Sequence, residues 1–386
     1  RVDDPRFFEG ARPVPLGDMP KLQQNVVVYG FPIGGTTLSI TSGIVSRVEV
    51  DTYLQSSRSL LAVQIDAAIN EGNSGGPVVS DGKIAGIAMQ GMEHADNVGY
   101  MIPTPVIRHF IDDVADGRYD GFPRMGIHVQ DMESADQRSA ARMSPSQTGA
   151  LVTRVDHGSP AYGVIRPRDV LLAIDGRAIA SDLTISWPGI GRVDYSLAIQ
   201  SKQVGETVGV TLQRAGKKLQ KKVTLHPHRP LVPGRRTTEW PRYYQFGGLV
   251  FQPLSEELID EPDAVYPDSV HFALIKNLVT KDRREIILLG QVLPHPVNRG
   301  YQDWGGETVR LINGVIPRDL RHVAALIDNA KGKWLRVVTG DGWVLTLDRE
   351  AARRANAEIL RFYGVMDDRY LGEGSGSSKD TRRRRP

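Results

Sequence analysis

Gly72-Asn73-Ser74-Gly75-Gly76-Pro77 is the stretch that decides how the rest of the chain reads. A serine hydroxyl is a poor nucleophile until a base takes its proton and donors neutralise the developing oxyanion. Glycines on both sides permit φ > 0, so successive N–H groups can be turned onto one concave face. With Ser74 at the bend, the amides of Gly72 and Ser74, joined by Asn73, are candidates for an oxyanion hole. Losing one such donor typically costs about 3–4 kcal/mol of transition-state stabilisation. Taken alone, the same residues also describe a flexible turn. The surroundings favour chemistry: Gln64-Ile65-Asp66-Ala67-Ala68-Ile69-Asn70-Glu71 leads in, and Val78-Val79-Ser80-Asp81-Gly82-Lys83-Ile84-Ala85-Gly86-Ile87 reads as strand, turn, strand.

Outward from this turn, short apolar runs at 26–29, 40–50, 60–65, 77–79, 84–89 and 99–102 are separated by turn residues. Such spacing predicts an antiparallel barrel or sandwich. A helix then begins, with Thr104 as N-cap and Pro105 at the first helical position. Val106, Ile107, Phe110, Ile111 and Val114 follow at helical spacing, and Asp116-Gly117 ends the run. Asp120-Gly121-Phe122-Pro123 reads as a linker. Beyond it, Arg168-Asp169-Val170-Leu171-Leu172-Ala173-Ile174-Asp175-Gly176 lines up with Gly306-Glu307-Thr308-Val309-Arg310-Leu311-Ile312-Asn313-Gly314, a constant spacing of 138 residues. Each copy closes on Asp-Gly or Asn-Gly, the strongest short turn signal. A helix with Leu320, Val323, Ala324 and Ile327 on one face follows the second copy. Hairpins are expected at 209–225 and 334–347, and Lys217, Lys218, Lys221 and Lys222 should form the solvated face of the first. The expected division is therefore 1–119, 120–228, 237–365 and a disordered basic tail at 372–386.

Composition narrows the function. The 386 residues are 40% apolar and 24% charged, with a net charge of +3 and a pI near 9.0. The arginines at 382–385 read as a solvated tail, not a nucleic-acid footprint. No cysteine is present, which excludes disulfides, thiolate metal sites and a cysteine nucleophile. No stretch approaches the ~20 apolar residues of a membrane-spanning helix. The nine histidines show no HxxxH spacing, and there is no P-loop or dinucleotide fingerprint. Neither a metal nor a cofactor is expected.

Several segments together carry a resemblance: Val26-Val27-Val28-Tyr29-Gly30-Phe31-Pro32-Ile33-Gly34-Gly35, Thr41-Ser42-Gly43-Ile44-Val45-Ser46, Ile65-Asp66-Ala67-Ala68-Ile69-Asn70 and the 72–77 turn. With Asn97-Val98-Gly99-Tyr100-Met101-Ile102-Pro103-Thr104-Pro105-Val106-Ile107, the chain resembles the Deg/HtrA serine proteases, in particular their plant-type branch. The resemblance runs to about residue 365. It implies a mainly β fold with α+β modules: the C-terminal half of a chymotrypsin-like β-barrel protease domain, followed by two PDZ-like domains. It implies Ser74 as nucleophile and Gly72, Asn73 and Ser74 as oxyanion donors. Ile69, Met89, Gln90 and Gly91 would line the S1 pocket, favouring cleavage after aliphatic residues. Met125-Gly126-Ile127-His128 resembles the carboxylate-binding loop of a PDZ domain. Phe246-Gly247-Gly248-Leu249 resembles a second such loop, or equally a glycine at the start of a strand. Residues 51–59 would be a regulatory loop, or a plain solvent loop.

One departure matters. In this fold the triad runs His, Asp, Ser along the chain, yet residues 1–73 contain no histidine. Asp3 and Asp4 carry no mark of a catalytic aspartate. His94 and His109 are expected at the surface. The first barrel, with its His and Asp, is expected outside this sequence, and the chain as written is not expected to hydrolyse peptides efficiently. The resemblance implies an ATP-independent endopeptidase acting on unfolded or damaged polypeptides in quality control. It also implies capture of peptide C-termini and a homo-oligomer, trimer or higher. A bacterial envelope is the favoured compartment and a plant organelle the alternative. The rival reading is a non-catalytic, PDZ-based binding protein.

Overall fold

A computed structural model describes residues 4–33, 35–53, 56, 58–91, 98–228, 231–233, 240–259, 267–275 and 279–372. The expected tail at 372–386 lies outside these apart from Gly372. The chain forms two compact units, Arg1–Val155 with Ser159–His228, and Asp156–Gly158 with Arg229–Pro386.

The first unit opens with a closed six-stranded barrel. Its strands are β1 (Asn25–Gly30), β2 (Ser39–Tyr53), β3 (Arg58–Ile65), β4 (Pro77–Ser80), β5 (Lys83–Gly91) and β6 (Gly99–Pro103). They run in the order β1-β2-β3-β6-β5-β4, and β1 returns to β4 through Val27↔Val79 and Val28↔Val78. Alternation sends Val26, Val28, Val63, Ile65 and Val78 inward; burying each such side chain stabilises by roughly 1.5–3 kcal/mol. Closure leaves no free edge. The anticipated regulatory loop is mostly strand, because the β2–β3 ladder continues through Asp51↔Leu60, Thr52↔Ser59 and Tyr53↔Arg58. Only residues 54–57 join the two strands, and three of them lie outside the described residues.

Helix α1 (Thr104–Asp113) follows β6 directly. Its N-cap is Pro103, so the Thr104 cap does not form. Thr104 is instead buried, and its hydroxyl has no partner among the described residues. The helix ends through a short 3-10 turn on Gly117, at φ +85°. His109 corrects another expectation: it is 8% exposed, not a surface residue. Its ring stacks on Phe122 at 4.0 Å, and Nε2 lies 2.8 Å from the Lys202 carbonyl. The cause is tertiary, because the next module packs on this helix while Phe110 and Ile111 stay half exposed.

That module contains β7 (Ile127–Gln130), α2 (Ala135–Ala140), β8 (Ala150–Val155), β9 (Val170–Ile174) and β10 (Arg177–Ala178). It continues with the hairpin β11 (Thr184–Trp187) and β12 (Gly191–Asp194), then α3 (Leu197–Gln200), β13 (Thr207–Arg214) and β14 (Lys217–Thr224). The sheet order is β14-β13-β9-β8-β7, with β10 on β9. Its hydrophobic cluster includes Leu61 of the barrel, and Val48, Val50 and Val106 pack against it. Barrel and module share one core. Gln200 Nε2 donates to the Ser59 carbonyl at 3.0 Å and Gln203 Nε2 to the His109 carbonyl at 3.1 Å.

The second unit is a seven-stranded sheet of order β20-β19-β18-β17-β16-β15-β21. It is built from β15 (Tyr243–Phe246), β16 (Leu249–Pro253), α4 (Asp268–Ile275), β17 (Ile287–Val292), β18 (Glu307–Ile312), α5 (Leu320–Asp328), β19 (Trp334–Thr339), β20 (Val344–Asp348), α6 (Arg349–Phe362) and β21 (Arg369–Tyr370). Leu320, Val323, Ala324 and Ile327 are the buried face of α5, as their spacing predicts. The internal repeat holds at the backbone. Asp175-Gly176 and Asn313-Gly314 both have left-handed pairs, at φ +45° and +78°, and at +49° and +82°.

Candidate active site

The 72–77 turn crosses the end of the barrel between the long connection from β3 and strand β4. Gly72 and Gly75 both take positive φ, +94° and +90°. Gly72 could not be anything else, since a Cβ there would lie 2.4 Å from the Phe31 carbonyl oxygen. Ser74 is exposed. Asn73 is 2% exposed and tucks against β1, where Gly30 lacks the Cβ that would come within 2.4 Å of Asn73 Oδ1. The Asn73 amide is tied to the Asn70 carbonyl at 3.0 Å, and its carbonyl accepts from Gly76 at 2.9 Å. Asn73 therefore braces the turn and is not a free donor, which removes it from the expected oxyanion set. The amides of Gly72 and Ser74 have no acceptor among the described residues.

The Ser74 hydroxyl donates to the Met89 carbonyl at 2.8 Å. An amide carbonyl accepts a hydrogen bond but cannot take the proton, so Met89 holds the hydroxyl without activating it. Met89 is buried with Tyr53, Leu60, Ala62 and Tyr100. Ile69 is half-buried on the barrel core and fills the space beside Gly99, where a Cβ would lie 2.8 Å from Ile69 Cδ1. Gln90 and Gly91 continue β5, paired with Tyr100 and Gly99; the Gln90 side chain lies outside the described residues, as does His94. No histidine ring is hydrogen-bonded to Ser74 among the described residues, His109 being engaged by Lys202. Asp4 caps a short 3-10 turn and pairs with Arg6 at 2.7 Å. His226 and His228 do stand one residue apart, the HxH spacing of two metal ligands. Among the described residues, however, no three ligating side chains gather there or elsewhere.

Known proteins carry the same parts in the same order. Residues 7–87 match the trypsin-like peptidase domain family, and residues 123–225 and 232–370 each match a PDZ domain family. Protease Do-like 4, mitochondrial, from Arabidopsis thaliana is 37% identical over 365 residues, covering 94% of this chain and 68% of that protein. The chain belongs to the Deg/HtrA family of serine proteases. Protease Do-like 2, chloroplastic, from the same plant is 38% identical, covering 95% of this chain and 61% of that protein. The chain thus spans a little over three-fifths of that relative. Serine protease Do-like HtrA of Bacillus subtilis is 28% identical over 225 residues, covering 54% of this chain and 48% of that protein. Among solved structures, HtrA-type protease AlgW with tripeptide aligns with a TM-score of 0.45 at 24% identity, covering 56% of this chain and 70% of that one. Among the described residues, no helix of this Deg/HtrA chain is long and apolar enough to cross a membrane.

In this Deg/HtrA chain the two candidate carboxylate loops differ. Met125-Gly126-Ile127-His128 leads into β7, which pairs only with β8 among the described residues. Gly126, at φ +67°, lets Ser159 approach, since a Cβ would lie 2.3 Å from Ser159 Cβ. Met125 is buried and its carbonyl accepts from Ala161 at 3.1 Å. Ile127 and Val129 pack on the cluster containing Leu197 and Ile199 of α3. His128 faces outward beside Arg154, whose Nη2 lies 3.2 Å from His128 Nδ1. Phe246-Gly247-Gly248-Leu249 is not a carboxylate loop. It is a two-residue hairpin turn, with Phe246 paired to Leu249 and both glycines at positive φ. The Gly247 amide donates to Asn356 Oδ1 at 2.9 Å. Strand β15 holds the edge of β16 that a ligand strand would need, and β21 covers β15 in turn.

Proposed function

We propose that the protein is an ATP-independent serine endopeptidase, with Ser74 attacking the scissile carbonyl to form an acyl-enzyme. The observation that carries this reading is an exposed serine hydroxyl beside the unengaged amides of Gly72 and Ser74. Those two amides would bind the oxyanion, while Asn73 keeps the turn in shape. No general base is hydrogen-bonded to Ser74 among the described residues; with an imidazole in reach, the Ser74 hydroxyl would leave the Met89 carbonyl. Ile69, Met89, Gln90 and Gly91 would form a small apolar S1 pocket, so cleavage after aliphatic residues is expected.

The substrates would be unfolded or damaged polypeptides. A peptide C-terminus would dock at Met125, Gly126, Ile127 and His128 and add a strand to the free edge of β7. The assembly proposed is a homo-oligomer, trimer or higher. A membrane-bounded compartment, a bacterial envelope or a plant organelle, suits a family whose Arabidopsis members are named chloroplastic and mitochondrial. The test is hydrolysis of an unfolded protein by the longest natural form of this protein. Ser74→Ala should reduce the rate to the level left by binding and the oxyanion hole alone, about 10³–10⁴-fold over water. Undiminished hydrolysis by that variant would refute the proposal.

A further inference from the structure

The second unit holds a cavity of about 500 Å³ between α4 and its sheet, within the roughly 300–1,000 Å³ of small-molecule sites. It exists because β17 and β18 pair only at Leu288↔Thr308 and Leu289↔Glu307 and then part. Beyond that point the walls are apolar, with Leu231, Ile286 and Ile316, whereas the side chains of Ile287 and Val309 are buried in the core with Leu320 and Val323 of α5. The ends are not. At one end, Asp268 and Ser269 of α4 meet Gly340 and Asp341 of the β19–β20 turn. Gly340 makes the approach possible, since a Cβ there would lie 2.5 Å from Ser269 Cβ and 2.2 Å from Thr308 Oγ1. The Ser269 hydroxyl is buried without a partner among the described residues, as is Oε2 of neighbouring Glu307. At the other end stand Arg283 and Arg310, the latter two residues or about 7 Å along β18 from Thr308. Among the described residues, Arg283, Arg310, Asp268 and Asp341 form no ion pair. Glu285, the remaining acid in the wall, is already held by Arg242 at 2.6 Å and by the Leu320 amide at 2.9 Å.

We propose that this cavity binds a short apolar peptide of two or three residues with both termini free. Its ammonium group would meet Asp268, Asp341 and the Ser269 hydroxyl, its side chains would lie against Leu231, Ile286 and Ile316, and its carboxylate would reach Arg283 and Arg310. Two or three extended residues span about 7–10 Å, enough to pass from Thr308, beside Gly340, to Arg310. Free ends and small size are the chemistry of a proteolytic product, yet the site is built without Ser74 or the β7 edge and stands whether or not those work as proposed.

The test is calorimetric titration of the full chain, carrying Ser74→Ala so that peptide is not consumed, with Val-Ala-Leu as probe. Acetylating the amine, amidating the carboxylate, Asp341→Lys and Arg310→Glu should each weaken binding at least tenfold. Both substituted residues are exposed, so the variants should keep the parent's thermal midpoint. Hydrogen exchange with bound peptide should show protection at 285–287 and 309–310. No binding at millimolar peptide, equal binding of the blocked peptides, equal binding of free leucine, or protection confined to 125–130 would overturn the proposal.

Discussion

Ser74 depends on the residue beneath it. Asn73 spans the turn with two backbone hydrogen bonds and fills the space left by Gly30. Gly30→Ala would drive a Cβ to within 2.4 Å of Asn73 Oδ1 and 3.0 Å of Asn73 Cα, and β1 is fixed on both sides by β2 and β4. The expected result is a loss of about 1–3 kcal/mol, the usual range for overpacking, read from the denaturant midpoint. Reaction at Ser74 should fall further than stability does, because the displaced atoms carry the proposed oxyanion amides. Unchanged stability would show that the turn tolerates the shift. The sequence displays the candidate nucleophile turn plainly, since glycine is the residue that reaches φ near +90° without strain, and one stands on each side of the Asn73-Ser74 pair. It does not display the brace. Whether an Asn amide points to solvent or into a turn depends on β1, which lies some forty residues earlier.

At the level of elements, glycine before a strand reads the same whether it cradles a carboxylate or reverses the chain. Gly126 precedes an edge strand; Gly247-Gly248 precedes a strand already flanked on both sides, and only strand order separates the two. Gly248→Ala should destabilise the second unit by at least about 2 kcal/mol, since its Cβ would lie 2.1 Å from Asn298 Nδ2 and 2.5 Å from the Leu293 carbonyl oxygen at φ +90°. Thermal unfolding of the variant checks this. Repeat and turn chemistry were legible, because Asp-Gly and Asn-Gly at matching positions force the same left-handed pair in both modules. β18 adds a pH prediction. Burial raises the Glu307 carboxyl above its ordinary range, and Asp341 adds to the shift against a smaller opposing pull from Thr339. The folded state therefore holds that proton more tightly than the unfolded chain. Stability should fall as pH rises from the ordinary glutamate value through the raised one, and stay lower above it. Glu307→Gln should flatten that slope, as urea titrations across the acidic range would report; an unchanged slope would contradict it.

Across the molecule, the barrel and the first PDZ-type module are one folded body, with a common apolar cluster and hydrogen bonds from α3 to Ser59 and from His109 to Lys202. Strand spacing leaves barrel and sandwich open, and the repeat indicates two αβ modules after it; the family resemblance is what points to the barrel. The shared core is not legible, since an apolar residue such as Leu61 reads the same whether its own barrel or a later module buries it. His109→Ala should lower the unfolding free energy of the first unit by about 2–3 kcal/mol and speed hydrogen exchange in both α1 and α3. Exchange confined to α1 would mean the contact does not couple them. The central claim, that Ser74 is an activated nucleophile, is met most directly by a fluorophosphonate probe on the longest natural form of the protein, read by peptide mass. A single adduct on the peptide containing residues 72–77, absent in Ser74→Ala, is the predicted result. Equal labelling of the two proteins, or none in the wild type, would contradict it.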